Sequence, residues 1–157
     1  MKSLLHILIG LLLTTKVGAV VSPPQVAYDH YFDAASFALE AQASADTIAY
    51  WLVMTYDEGR INVPVGSQLL LHLRDRSVIT LATDREVGKR DVLIRRWSDR
   101  TYYYIRCYYP ITLAQLGKIL DKDIYKLEIS TARGIIVRRT RNFKPKLSIA
   151  LTAVTTE

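Results

Sequence analysis

The sequence predicts an α+β fold in which most of the chain forms antiparallel strands, arranged as a sandwich or a partly closed barrel. Ten tyrosines and many β-branched residues favour short strands. Two segments combine alternating apolar residues with a turn between them, as β-hairpins do. Two more segments carry helix signals, which predict a short helix near 112–120 and a C-terminal helix packed on the sheet.

The first nineteen residues have the order of an export signal. Lys2 gives a positive start, residues 4–13 are almost entirely apolar, and small side chains follow just before position 20. The apolar run is too short to span a bilayer. We therefore expect cleavage after Ala19, and one β-rich domain over residues 20–157 without a membrane span. The mature protein would reach the periplasm or the outside of the cell.

Two strands are predicted early in the mature chain, after a stiff lead-in at residues 22–24. Apolar residues alternate from Phe37 to Ala43, which indicates a half-buried strand. Residues 47–56 are apolar on both faces, which predicts a central strand that is covered on both sides. Residues 86–96 leave two alternatives open, a strand or part of a long loop.

The clearest hairpin turns at residues 74–76. A three-residue loop there would place Leu71 opposite Ile79, whereas a two-residue loop would place it opposite Thr80. The first register buries one apolar face, so we prefer it. It requires Arg76 to adopt a left-handed conformation at a cost of about 1 kcal/mol.

A second hairpin is predicted between residues 123 and 141. With a three-residue loop at 132–134, Gly134 takes the left-handed position, which glycine adopts without steric cost. This register places Ile129 opposite Val137.

Capping residues mark the start of both predicted helices. Thr112 and Gln115 form a capping box, in which each side chain satisfies a backbone donor, and the helix should run to about Leu120. Asn142 is a favourable cap for the second helix. The apolar residues of that helix fall at helical spacing and form one stripe: Phe143, Leu147, Ala150, Leu151 and Val154.

The charge of the chain is mild and dispersed. The formal charge of +6 falls to +4 when Lys2 and Lys16 leave with the signal. A nucleic-acid binder concentrates positive charge on one face, so we expect no nucleic-acid partner. The densest basic cluster can instead blunt an exposed strand edge, as basic residues commonly do. This cluster contains Arg138, Arg139, Arg141, Lys144 and Lys146.

No residue pattern in the sequence indicates catalysis, a cofactor or a metal. Cys107 is the single cysteine, so no intramolecular disulfide can form, and its alternation with Ile105 predicts that it is buried. The mature chain keeps His30 and His72, neither at a recognised metal-ligand spacing. An enzyme, such as an unfamiliar hydrolase, would need a pocket that joins one of these histidines to a carboxylate.

One face of the strand predicted from Thr101 to Tyr109 is a candidate binding surface. Ile105 and Cys107 mark its inward face, so the alternate residues point outward: Tyr102, Tyr104, Arg106 and Tyr108. Tyrosine suits an interface because its ring buries area while its hydroxyl keeps a partner. A tight turn before the strand would place Arg96 against Tyr102 in a cation–π contact. The alternative is that a helix covers this face.

Four segments occur in a recognisable order: GSQLLLHLRDRSVITL from Gly66, YYI from Tyr103, YPITLAQL from Tyr109 and KLEIST from Lys126. This series resembles small exported proteins of unknown function from Bacteroides-type bacteria, over about residues 66–147. Arg76 stands where their pattern has glycine. The resemblance implies no activity and no functional residue.

These observations together favour an exported, non-catalytic binding or structural module of the cell envelope or extracellular space. Its expected partner is a protein or a glycan, and it should need no cofactor. The alternative is a hydrolase of an unfamiliar kind.

Overall fold

The computed structural model describes residues 18–30, 33–57, 62–94 and 101–156, without the side chains at positions 30, 33, 57, 86–94 and 101–104. Along the chain these residues form strands β1 (Ala19–Val21), β2 (Gln25–His30), β3 (Asp33–Ala43), β4 (Ile48–Asp57), β5 (Gln68–Leu73), β6 (Val78–Ala82), β7 (Arg85–Ile94) and β8 (Thr101–Ile111), helix α1 (Leu113–Lys122), strands β9 (Ile124–Thr131) and β10 (Gly134–Arg139), and helix α2 (Phe143–Thr155).

The strands form two antiparallel sheets, which confirms the predicted fold class. The first sheet has the order β1-β3-β4-β8-β7, with β2 pairing beside β1 along β3, and the second has the order β10-β9-β5-β6. The two sheets do not close into a barrel in the described part of the chain. The chain alternates between them, since β1–β4 and β7–β8 belong to the first sheet and β5–β6 and β9–β10 to the second.

One hydrophobic core joins the inner faces of both sheets and the buried sides of the helices. Its largest fully buried side chains include Phe37, Tyr56, Leu69, Leu71, Tyr109, Leu116 and Phe143. Burial of each such aliphatic or aromatic side chain contributes about 1.5–3 kcal/mol. Apolar packing of this extent can hold the fold without a disulfide.

The strands predicted near the N-terminus are present, but β3 is more buried than expected and the segment before β2 is bonded to it. β4 is central, between β3 and β8, as its apolar faces predicted. β3 is more buried than the predicted half-buried strand, because Glu40 on its outer side is only 8% exposed. Of the predicted lead-in, Ser22 is bonded to β3: Ser22 N donates to Leu39 O at 2.8 Å, and Leu39 N donates to Ser22 Oγ at 2.9 Å. Residues 85–94 form a strand, which favours the strand over the loop for the segment 86–96; its last two residues lie outside the described residues.

The hairpin of β5 and β6 has the predicted three-residue register. Leu71 pairs with Ile79, and Arg76 adopts the left-handed conformation with φ of 71°. The Asp75 carboxylate accepts from Ser77 N at 2.9 Å and from the Ser77 hydroxyl at 2.5 Å. This local pairing holds the turn closed although arginine occupies the position that glycine prefers.

The predicted register of β9 and β10 is wrong by one residue. Ile129 faces Ile136 rather than Val137, and Val137 is 50% exposed. Two residues, not three, form the loop, because Thr131 pairs with Gly134 and its hydroxyl donates to the Gly134 carbonyl at 2.7 Å. The positive φ expected for Gly134 is present, at 122°.

Helix α1 begins at the predicted capping box and runs two residues beyond Leu120. Gln115 N donates to Thr112 Oγ1 at 3.1 Å, and Thr112 N donates to Gln115 Oε1 at 2.9 Å. Helix α2 packs on β2 and β3 through the predicted stripe, within which Leu151 is half-buried and the rest are buried. Its Phe143 ring stacks on Phe37 with the centroids 4.3 Å apart.

Asp123, not Asn142, caps the start of α2. Asn142 has a left-handed backbone, with φ of 54°, and its side chain makes no cap hydrogen bond. The Asp123 carboxylate instead accepts from Lys144 N at 2.9 Å. Asp123 also ends α1, where its N–H donates to Ile119 O at 2.7 Å, and its other carboxylate oxygen lies 3.5 Å from Arg74 Nε. One residue, through its backbone N–H and its carboxylate, therefore connects both helices to the β5–β6 turn.

Candidate functional site

The predicted binding surface lies on the outer face of the first sheet, the side turned away from the core. Arg106 is exposed and Tyr108 is half-buried, and they alternate with buried Ile105 and Cys107 as predicted. Tyr102 and Tyr104 belong to β8, but their side chains lie outside the described residues. Arg96, with its predicted contact to Tyr102, also lies outside them.

A cluster centred on Arg85 occupies this face. Its members come from four strands, β3, β4, β7 and β8, and from the residue before β7. We call them the Arg85 cluster: Glu40, Trp51, Asp84, Arg85 and Tyr108. The strand pairs Glu40–Trp51 and Tyr108–Arg85 bring them together. The guanidinium carbon of Arg85 lies 4.1 Å from the centroid of the Tyr108 ring and 5.3 Å from that of Trp51.

An ion pair fixes the direction of the Arg85 side chain across the sheet. Arg85 Nη2 donates to Glu40 Oε1 at 3.1 Å, with the Glu40 side chain 11% exposed and that of Arg85 46% exposed. Truncation of Arg85 would leave a buried carboxylate without this partner, which costs more than an exposed pair contributes. The cation–π contacts add about 0.5–1 kcal/mol at such a site.

Asp84 orients the indole of Trp51. Trp51 Nε1 donates to Asp84 Oδ2 at 2.9 Å, and Asp84 N donates to the Tyr108 carbonyl at 3.0 Å. The preceding residue, Thr83, is 2% exposed and its N–H donates to Ser67 O at 3.0 Å. Thr83 and Asp84 link β6 of the second sheet to β7 of the first. This connection places Arg85 over the outer face of the first sheet.

The outer face of β4 is partly covered, and the Arg85 side chain reaches over this strand from β7 to Glu40 on β3. Val53, between Tyr108 and Ala38 in the ladder, is only 5% exposed. The sequence left open whether a helix covers this face. In the described part of the chain, α2 packs on the inner side through Phe37, and Arg85 extends over the outer side.

The sequence pointed to only part of this cluster. Tyr108 was predicted from its alternation, and Glu40, Trp51, Asp84 and Arg85 were missed. Their separation along the chain hides the contact, since Arg85 and Glu40 are 45 positions apart. The apolar outer face of β4 was an available signal, because a strand buried on both sides needs a cover for each.

The inner face of the same strands holds a buried tyrosine pair. The hydroxyls of Tyr56 and Tyr109 lie 3.3 Å apart. Burial raises the pKa of Tyr56 well above its usual value, and the neighbouring Tyr109 raises it further. Burial likewise raises the pKa of Tyr109. Cys107 between them in the sheet is fully buried, as predicted, so it is not placed as a surface nucleophile.

A histidine and a carboxylate do meet on the outer face of the second sheet. His72 Nε2 lies 3.0 Å from Glu128 Oε1, an ion-pair distance, although the contact is not aligned as a hydrogen bond. Lys126 Nζ donates to the same oxygen at 2.7 Å. The Lys126 hydrogen bond and the nearby His72 hold the pKa of the Glu128 carboxyl below its usual value.

The described residues contain neither a metal-binding group nor a membrane-spanning helix. Among the described side chains, no three from His, Cys, Asp or Glu are grouped so as to hold a metal ion. The side chains of His30 and Asp33 lie outside the described residues. Over the same residues, neither helix has the length and apolar character that crossing a membrane requires.

No protein-family model, curated protein or solved structure matches this chain.

Proposed function

We propose that this protein is an exported, non-catalytic binding module of the cell envelope or extracellular space, which binds a protein or a glycan through the Arg85 cluster. The observation that carries the proposal is the fixed, half-exposed guanidinium of Arg85 over two aromatic rings. Arginine, tryptophan and tyrosine are the residue types that dominate binding energy at interfaces.

The geometry also reduces the entropy that binding would cost. Arg85 is held by Glu40 on one side and by Tyr108 beneath it. A side chain that is already ordered loses little rotamer freedom when a partner arrives. Arg106 lies in the same exposed strand face and extends the positive surface.

Export is supported by the order of the first nineteen residues and by the resemblance to small exported proteins. Residues 1–17 lie outside the described part of the chain, and Ala19 pairs with Gln42 at the end of β1. Cleavage after Ala19 would keep the pairs of Val20 and Val21 with β3. N-terminal sequencing of the protein recovered from the periplasm or the medium would test this step, and an intact Met1 would contradict it.

Recovery of a partner with an immobilised mature protein tests the binding function. We expect Arg85→Gln and Tyr108→Ser each to lower recovery from envelope extract, or the signal on a glycan array, by about tenfold, as loss of a central interface residue does. Thr80→Ser, at an exposed position of the other sheet, is the matched control and should bind like the unmodified chain. Thermal unfolding of each variant reports whether the fold is intact.

Equal recovery by all three folded variants would refute the proposed site.

The hydrolase alternative is supported by the contact between His72 and Glu128. It predicts turnover of p-nitrophenyl acetate that His72→Ala abolishes, and rates equal to the uncatalysed reaction would remove it.

A further inference from the structure

We propose that β10 is a docking edge for an extended peptide segment that alternates aliphatic residues between acidic ends. β10 is last in the order of the second sheet, and among the described strands it pairs only with β9. A strand edge of this kind offers its backbone to another strand, which is how β-augmentation works. The site lies on the sheet opposite the Arg85 cluster, so its test is independent of the function proposed above.

The hydrogen-bonding pattern between β9 and β10 shows which backbone groups of β10 face the free edge. Thr140 N donates to Tyr125 O at 3.0 Å, so the even-numbered residues of β10 bond to β9. In an antiparallel pair the alternate residues direct both their N–H and C=O groups the other way. The free edge therefore presents Ile135, Val137 and Arg139. Of these groups, the Val137 carbonyl already accepts from Arg138 Nη1 at 2.9 Å, and a bound strand would have to displace this side chain, which also lies 5.9 Å from the centroid of the Tyr28 ring.

Exposed apolar side chains lie along the free edge of β10. Ile135 is 67% exposed and Val137 is 50% exposed, and both project from the outer face of the second sheet. Native edges are usually protected by charge, proline or short length. The predicted basic cluster protects only the C-terminal end of β10, at Arg138 and Arg139, and two large aliphatic residues lie before it. A partner strand with aliphatic residues opposite them would bury both.

Charge specifies the ends of the partner and argues against a second copy of this chain. Arg133 in the turn, Arg139 at the strand end and Arg141 beyond it are exposed, and no ion pair in the described part of the chain involves them. An antiparallel copy of β10 centred on Ile136 would place Arg139 near Arg133 of its partner, and like charges opposed across strands repel. Acidic ends would match both arginines instead.

The experiment uses a seven-residue probe with glutamate at both ends, valine at its third and fifth positions, and threonine elsewhere. Seven extended residues span about 20 Å, the distance covered by the six residue steps from Arg133 to Arg139. Fluorescence anisotropy of the labelled peptide should show saturable binding that weakens with salt. The amide NMR signals of Ile135, Val137 and Arg139 should shift most. A peptide with lysine ends is the matched control and should not bind.

Three variants separate edge pairing from nonspecific attraction. Val137→Pro removes an N–H that faces the free edge without removing a bond to β9, and proline is tolerated in this position of an edge strand. We expect it to weaken binding by about tenfold, whereas Val137→Thr, which keeps the N–H, stays within about threefold. The pair Arg133→Glu with Arg139→Glu should lose the acidic peptide and bind the lysine peptide, and it tests the proposal even if the proline variant does not fold.

Three outcomes would overturn the proposal. The first is the absence of saturable binding at millimolar peptide, and the second is unchanged selectivity in the charge-reversed protein. The third is binding to phosphatidylglycerol vesicles that Val137→Pro leaves intact, since this would assign the patch to a lipid surface instead.

Discussion

The buried pair Tyr56 and Tyr109 predicts that the protein loses stability steeply at alkaline pH. Both hydroxyls have a pKa raised by burial, so both stay protonated in the folded chain at a pH where they ionise in the unfolded chain. The stabilising contribution is therefore complete below the unfolded tyrosine pKa of about 10 and is lost as pH rises above it.

The size of the effect follows from the ionisation of the unfolded chain. At pH 11 each tyrosine that ionises only on unfolding lowers the free energy of unfolding by about 1.4 kcal/mol, and two lower it by about 3 kcal/mol. The double variant Tyr56→Phe with Tyr109→Phe removes both hydroxyls. Replacing both partners of a hydrogen bond by apolar groups of similar shape is close to neutral, so the variant should fold at pH 8.

The assay is urea unfolding followed by far-ultraviolet circular dichroism at pH 8 and pH 11. We expect the unmodified protein to lose about 3 kcal/mol more between these two pH values than the double phenylalanine variant does. Other tyrosines and the lysines are common to both proteins and cancel in this comparison. Equal losses would mean that the two hydroxyls ionise in the folded state, and the reasoning from burial would be refuted.

Three substitutions test the local interpretations. Arg76→Gly should raise the free energy of unfolding by about 1 kcal/mol, because it removes a left-handed non-glycine residue, and a lower urea midpoint would contradict this. Asp123→Ala should lower it by about 1–2 kcal/mol through loss of the α2 cap, with Asp123→Asn, which keeps an acceptor, closer to the unmodified chain. Gly117→Ala should raise the helicity of α1 and add about 1 kcal/mol, because an added Cβ meets nothing within 4 Å; an unchanged melting temperature would argue against that gain.

The sequence predicts an element well where burial and local chemistry point to the same answer. The β5–β6 turn is an example: one loop length buries Leu71 against Ile79, and the other does not. The capping box of α1 is similar, because Thr112 and Gln115 are three residues apart and need no distant partner.

The failed predictions share a different cause. Ile136 and Val137 are both β-branched and aliphatic, so a shift of one residue in β10 changes which of them lies on the same face as Ile129 without changing the apolar pattern. The cap of α2 comes from Asp123, 21 positions before the N–H that it accepts from. The Arg85 cluster likewise depends on which strands become neighbours. Such contacts follow from topology, which the pattern of one segment does not contain.

The alternation of the chain between the two sheets has a consequence for how the molecule can be assembled. Neither layer is built from one continuous stretch: the first needs β8, which ends at Ile111, and the second needs β10, which ends at Arg139. A ribosome-bound or partly translocated chain that stops before residue 101 has neither layer finished, and pairings this distant in sequence form slowly. Nascent protein would stay unstructured until almost its whole length is free, so truncation from the C-terminus should yield protease-sensitive chains rather than a smaller stable domain.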